Sequence, residues 1–200
     1  MLDVSGSPRA DASGVIVYLE FEEPVPDLAS TPASEEMRQV NKEFDPQVLP
    51  VVVGSTVDFP NDDDIYHNVF SISRAARFDL GLYKQGESKS IRFDKPGVIR
   101  VYCGIHTHMV GYILVLRQPW FTHPEANGTF RMDGLPEGQV TVYAWHSWCR
   151  KMPSLKFSIR DGALLDAEGN PLSPVELKVR ESRFTLQSRP AKRRRTGGRY

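Results

Sequence analysis

The chain has 200 residues, 40% hydrophobic and 25% charged, which suits one or two soluble globular domains. The 25 basic and 25 acidic residues balance, but six basic residues lie in positions 189–200, leaving 19 basic against 25 acidic elsewhere. Two cysteines are too few for a scaffold of several disulfides. No apolar run approaches the roughly 20 residues of a membrane span.

Short β-prone runs separated by turn residues dominate the chain up to residue 117, and they predict about seven strands in an all-β sandwich or barrel. The runs are residues 14–21, 48–59 (interrupted at Gly54), 66–73, 78–82, 91–93, 98–103 and 110–115. Residues 22–45 are rich in Pro, Ser and acidic residues. They predict a long connection with one helical turn near residues 34–40.

One cysteine, two histidines and a methionine lie in the turn between the last two of these strands. Alternation places Ile99, Val101 and Cys103 on one face of the first strand. His106 and Met109 follow in a Cys-x2-His-x2-Met pattern. Thiolate, imidazole and thioether are together the donors of a copper site, which needs a second imidazole from elsewhere. His67, at the start of another strand, is the candidate.

From residue 119 the alternation continues on a smaller scale. Turn residues flank possible strands at 129–132 and 139–145, and further strands are predicted at 154–159 and 175–179. We therefore expect a first domain over residues 1–118, a small β module over 119–182, and a basic tail over 183–200 without an apolar pattern.

The first domain resembles the cupredoxins. The similarity lies in residues 51–61, in Tyr66-His67-Asn68-Val69-Phe70, and in the Tyr102-Cys103-x2-His106-x2-Met109 loop, whose short spacing is that of amicyanin. The resemblance implies a Greek-key β-sandwich with one copper ion per chain, held by His67, Cys103, His106 and Met109. It also implies that Asn68 supports the cysteine loop from outside the ligand set. The order of the domains is similar to bacterial methylamine-utilisation-protein-like proteins.

The second module resembles the carboxypeptidase regulatory-like, transthyretin-like β-sandwich through residues 122–146. An Asn-Gly turn, a Leu-Pro-x-Gly turn and an alternating strand ending in Ala-Trp carry the similarity. Sixty residues is short for such a sandwich. Residues 14–21 could pair with it and leave the copper domain inserted between, and the sequence leaves both arrangements open.

Several alternatives stay open at the site. His108 could replace His106 in a rearranged loop, and Met109 could pack without binding metal. Cys149 could form a disulfide with Cys103, although a free thiol better explains the donor set. The acidic run at residues 62–64 could guide a basic partner or bind a hard cation, but a solvated turn is the simpler interpretation.

The favoured function is a one-electron carrier, a blue-copper protein rather than an enzyme, exchanging electrons with a redox protein. In the family the loop histidine is the electron exit, which implies His106 between Ile105 and Val110 here. Copper storage or delivery, and a binding module with a decayed metal site, are the alternatives. We expect a monomer without a specific nucleic-acid partner or membrane span. The resemblance implies a periplasmic or exported protein, although residues 1–14 do not have the pattern of a signal peptide.

Overall fold

A computed structural model of the chain describes residues 14–23, 32–149 and 152–171. These residues form strands and turns without a helix, and so include no helix that could cross a bilayer. The strands of the described residues are β1 (Ile16–Phe21), β2 (Ser34–Glu36), β3 (Arg38–Val40), β4 (Glu43–Asp45), β5 (Val48–Val52), β6 (Thr56–Pro60), β7 (His67–Ile72), β8 (Arg77–Tyr83), β9 (Ser88–Arg92), β10 (Gly97–Tyr102), β11 (Val110–Leu116), β12 (Phe121–Thr122), β13 (Gly138–Trp145), β14 (Ser154–Arg160) and β15 (Ala163–Leu165).

Two sheets between residues 34 and 116 face each other across a common core. One has the order β5-β11-β10-β7-β8 and the other the order β2-β6-β9. Each sheet turns one face inward, because successive side chains of a strand point to opposite faces of the sheet. Ile99, Val101 and Ile113 of the first sheet pack in one cluster with Val57 and Phe59 of the second. The predicted all-β sandwich is confirmed for this part of the chain.

A third sheet, of order β12-β1-β13-β14-β15, joins the first strand to residues after 120. Ile16–Phe21 pairs antiparallel with Gly138–Trp145 along its whole length. The first strand therefore lies with the second module, one of the two arrangements that the sequence left open. The transthyretin-like sandwich is not confirmed, because the strands of the described residues after 120 all belong to this one sheet.

The third sheet is buried on both faces at its centre. One face of β1 and β13 packs in a core with residues such as Phe157 and Ile159. The other face presents Ile16, Tyr18 and Trp145 to Leu114 and Leu116 of β11. The apolar residues at this boundary hold the sheet against the outer face of the sandwich, on the side of β5 and β11 away from the sandwich core.

The helical turn predicted near residues 34–40 is wrong. Residues 34–36 and 38–40 are strands, and β2 runs parallel to β6. Met37 and Gln39 are fully buried while Arg38 between them is exposed. That period of two fits a strand. The local composition did not reveal its pairing partner, because that partner lies 22 residues further along the chain.

The strand predicted at residues 129–132 is also wrong: the structure describes these residues, and they do not form a strand. Its polar groups bond locally: the Thr129 N–H donates to Asn127 Oδ1, and Arg131 pairs with Asp133. Phe130 and Met132 nevertheless pack against the core of the third sheet. The alternation reflects that packing and not a ladder. The strand predicted at 175–179 and the tail from 183 lie outside the described residues.

Candidate metal centre

His67 enters the site from the first position of β7. Residues 67, 69 and 71 of this strand are buried, and the positions between them are more exposed. The inward face of β7 thus includes the imidazole, which is fully buried. Because the neighbouring strand β8 ends opposite it, with Tyr83 paired to His67, the histidine lies at one end of the sandwich.

Cys103 and His106 come from the loop between β10 and β11 at the same end. The inward alternation of β10 continues through Ile99 and Val101 to Cys103, which is 5% exposed. The loop is closed by two backbone bonds: the Cys103 N–H donates to the Met109 carbonyl at 3.2 Å, and the Met109 N–H to the His106 carbonyl at 3.0 Å. The predicted inward direction of the thiol is confirmed.

Three donor atoms from these segments converge. Cys103 Sγ lies 3.6 Å from His67 Nδ1 and 3.5 Å from His106 Nδ1, and the two Nδ1 atoms are 3.1 Å apart. The centre of this triangle is about 2 Å from each corner, close to the usual metal–imidazole bond length. Among the described residues this is the group of histidine, cysteine and carboxylate donors that could hold a metal ion. The triangle fits a trigonal metal site.

Asp63 contacts the outer nitrogen of His67. Its Oδ2 lies 2.7 Å from His67 Nε2, and its side chain is only 12% exposed. An ionised carboxylate can only accept a hydrogen bond, so Nε2 carries the proton and Nδ1 keeps its lone pair for the triangle. The interpretation of residues 62–64 as a solvated turn is wrong for Asp63, although Asp64 is exposed.

The carboxylate of Asp63 is held by a tight hairpin between β3 and β4. The N–H of Asn41 donates to Oδ1 at 2.6 Å and that of Lys42 to Oδ2 at 2.8 Å. Both residues have positive φ, 55° and 60°, as the two central positions of a tight two-residue hairpin turn require. Burial acts to raise the pKa of Asp63, but these bonds and His67 outweigh it and lower the pKa below its ordinary value.

Asn68 connects the next position of β7 to the cysteine loop. Its Oδ1 accepts the Gly104 N–H at 3.0 Å, while its Nδ2 donates to Asp79 Oδ1 at 2.7 Å. A Cβ on Gly104 would lie 2.6 Å from Oδ1, so a larger residue there would push the amide away. The contact expected from the resemblance is present, and Asp79 fixes the orientation of the amide.

The loop histidines differ in placement. His106 is part-buried and belongs to the triangle, whereas His108 is exposed. Desolvation first, and then the charges of His67 and Lys42, lower the pKa of His106. Its imidazole is therefore more readily neutral, the form that binds a metal. Met109 is 1% exposed and packs in the same core cluster as Cys103, and its role as an axial ligand stays a prediction.

One tryptophan and the second cysteine lie away from the triangle. Trp145 is buried and packs against Tyr112 at the boundary between the sandwich and the third sheet. Cys103 and Cys149 are both free thiols. Burial raises the pKa of Cys149 above its ordinary value.

Comparison with known proteins gives structural likenesses over half of the chain or less. No family model matches the chain, and no curated protein matches it. A purple cupredoxin from Nitrosopumilus maritimus is 26% identical, with 42% of this chain and 99% of that one covered, at a TM-score of 0.37. A reduced amicyanin mutant is 21% identical, with 50% of this chain and 99% of the amicyanin covered, at a TM-score of 0.39.

A Cu-containing nitrite reductase from Thermus scotoductus SA-01 is 31% identical over 48% of this chain, at a TM-score of 0.39. The match spans only 23% of the reductase. The candidate site stands on its own geometry and donor chemistry.

Proposed function

We propose that the chain is a mononuclear blue-copper protein that carries single electrons between redox partners. The observation that supports this most strongly is the triangle of Cys103 Sγ and the two Nδ1 atoms of His67 and His106, with sides between 3.1 and 3.6 Å. Two imidazoles and one thiolate in a trigonal arrangement, with a weak axial thioether, are the donor set of blue-copper electron-transfer sites.

Copper is favoured over zinc by the number and strength of the donors. Structural zinc sites take four strong ligands in a tetrahedron, whereas this triangle has three, with the thioether of Met109 in the same core cluster. A bound copper ion would supply a one-electron couple between Cu(I) and Cu(II). The chain supplies the rest. Buried His67 and Cys103 exclude water, and the strand position of His67 together with the hydrogen-bonded loop of Cys103 limits movement between the two redox states.

The exit for the electron is the edge of His106. Of the three donor residues it is the one that is part-exposed, and Ile105 beside it is 52% exposed. An imidazole edge at an apolar surface suits a redox protein partner that binds briefly.

We assign the copper domain to residues up to about 118, with β1 belonging to the module over residues 119–182. By resemblance we place the carrier in the periplasm or outside the cell.

Electrochemistry of the copper-loaded protein tests the proposal. We expect one reversible one-electron wave, with one copper bound per chain. Cys103→Ser should lose the wave, whereas the matched control Cys149→Ser, which removes the other free thiol, should keep it.

Two results would overturn the proposal: a wild-type protein that binds copper without a reversible wave, or Cys103→Ser behaving like Cys149→Ser. Circular dichroism would establish that both variants retain the β-structure.

A further inference from the structure

The carboxylate of Asp63 is built into the structure more firmly than a residue of a surface turn. It accepts two backbone N–H groups of the β3–β4 hairpin and lies 2.7 Å from the Nε2 of His67. Its own N–H donates to Asn61 Oδ1, and Asn61 is fully buried. Three hydrogen bonds to the carboxylate, and one from the backbone N–H, thus define where this side chain points.

We propose that Asp63 is a positioning residue that fixes the tautomer of His67 and strengthens the preference of the site for Cu(II) over Cu(I). The inference rests on the proposed function and deepens it. It concerns how this chain adjusts its own site, through a carboxylate that takes no part in the triangle.

The physical reason is the effect of a carboxylate on an imidazole ligand. A negative charge accepting the Nε2 proton makes Nδ1 a stronger donor, and a stronger donor stabilises the more highly charged metal ion. His67 is fully buried and Asp63 nearly so, so solvent screens this interaction weakly. The hydrogen bond also holds the ring in the plane that directs Nδ1 at Cys103 and His106.

The hairpin makes the same carboxylate a link to a distant segment. Asn41 and Lys42 lie more than twenty residues before Asp63 in sequence, and their bonds occupy both of its oxygens. The position of the His67 ring therefore depends on the β3–β4 turn as well as on β7.

The first experiment needs no metal. Long-range ¹H–¹⁵N NMR of the wild-type apoprotein reports which nitrogen of His67 carries the proton. We expect the Nε2–H tautomer, with a proton shift typical of a strong hydrogen bond. Protonation at Nδ1 alone in the neutral ring would overturn the proposal even if no variant could be made.

The second experiment compares Asp63→Asn with the matched control Asp62→Asn. Asp62 carries the same charge one residue away, but it pairs with Arg38 at 2.6 Å and not with His67. We expect Asp63→Asn to lower the ratio of Cu(II) to Cu(I) affinity about tenfold, which raises the reduction potential by about 59 mV. Asp62→Asn should change the ratio much less.

The outcomes separate this inference from the proposed function. If the wild type shows no thiolate-to-copper absorption, both fail. The wild type can instead show this absorption while the reduction potential of Asp63→Asn equals that of the wild type, or shifts no more than that of Asp62→Asn. In that case the positioning role fails and the copper site stands.

Discussion

Asn68 Oδ1 and the backbone N–H of Gly104 are hydrogen-bonded at 3.0 Å across 36 positions of sequence. The bond joins the strand that carries one imidazole to the loop that carries the thiolate. Asp79 holds the other end of the same amide at 2.7 Å. The two halves of the candidate site are thereby fixed relative to each other before any ion binds.

Removing this bond should loosen the loop without unfolding the sandwich. Asn68→Ala is expected to reduce the free energy of unfolding by about 1–2 kcal/mol, because the hydrogen bonds to Gly104 and Asp79 are both lost at a partly exposed position. It should also speed the loss of copper to a chelator. Chemical denaturation and stopped-flow chelation measure the two effects, and unchanged rates of copper loss would show that the bond does not brace the site.

Met109 allows a test of the axial position. Met109→Leu conserves volume, so we expect it to cost less than about 1.5 kcal/mol of stability. If the thioether donates weakly to the ion, its removal should raise the reduction potential, since a donor that helps to stabilise Cu(II) is gone. Voltammetry measures the shift.

Met132→Leu, at a partly buried position packed against the core of the third sheet, is the control and should leave the potential unchanged. An equal potential in Met109→Leu and the wild type would assign Met109 to packing alone.

The boundary between the sandwich and the third sheet predicts that the two unfold together. Trp145 is 6% exposed and packs edge-on against Tyr112 with ring centroids 5.5 Å apart. Trp145→Ala should cost about 3–5 kcal/mol, as for other large buried aromatic residues.

Leu82→Ala, at a position 58% exposed, should cost no more than about 0.5 kcal/mol. Calorimetry of the wild type should give a single transition, and two separate transitions with only one shifted by Trp145→Ala would show that the boundary does not couple the parts.

The two thiols should respond differently to alkylation and to copper. The reactive form of a cysteine is the thiolate, and burial raises the pKa of Cys149. We therefore expect slow alkylation of Cys149 near pH 8, with a rate that increases as the pH rises above 9. In Cys149→Ser the remaining thiol is Cys103, and one equivalent of copper should protect it. Mass spectrometry after iodoacetamide treatment counts the modified residues. Equal labelling of Cys149→Ser with and without copper would exclude Cys103 as a ligand.

The sequence predicted the donor side chains because their pattern is local. Alternation along residues 98–103 directs Cys103 inward, and the short spacing to His106 places both in one turn. His67 was a candidate because the donor set needed a second imidazole, and the resemblance to a known family supported that choice. Nothing within its own strand points to a residue 36 positions away.

Asp63 was missed for a physical reason. Three consecutive aspartates in a turn have the composition of a solvated segment, and the partners that bury the middle one are backbone N–H groups of residues 41 and 42. Almost every residue has a backbone N–H group, so residue types do not reveal which of these groups bind a carboxylate. The hairpin lies in a segment whose polar composition is typical of a loop. The alternation of buried and exposed side chains over Met37, Arg38 and Gln39 was the one indication of a strand there.

Titration of Cu(II) into the reduced apoprotein, followed by visible absorption, tests the central claim most directly. We predict an intense thiolate-to-copper band that saturates at one equivalent, is bleached by ascorbate, persists in Cys149→Ser and is absent in Cys103→Ser. A pale product with only weak absorption, or a band that survives in Cys103→Ser, would contradict the assignment of Cys103, His67 and His106 as a blue-copper site.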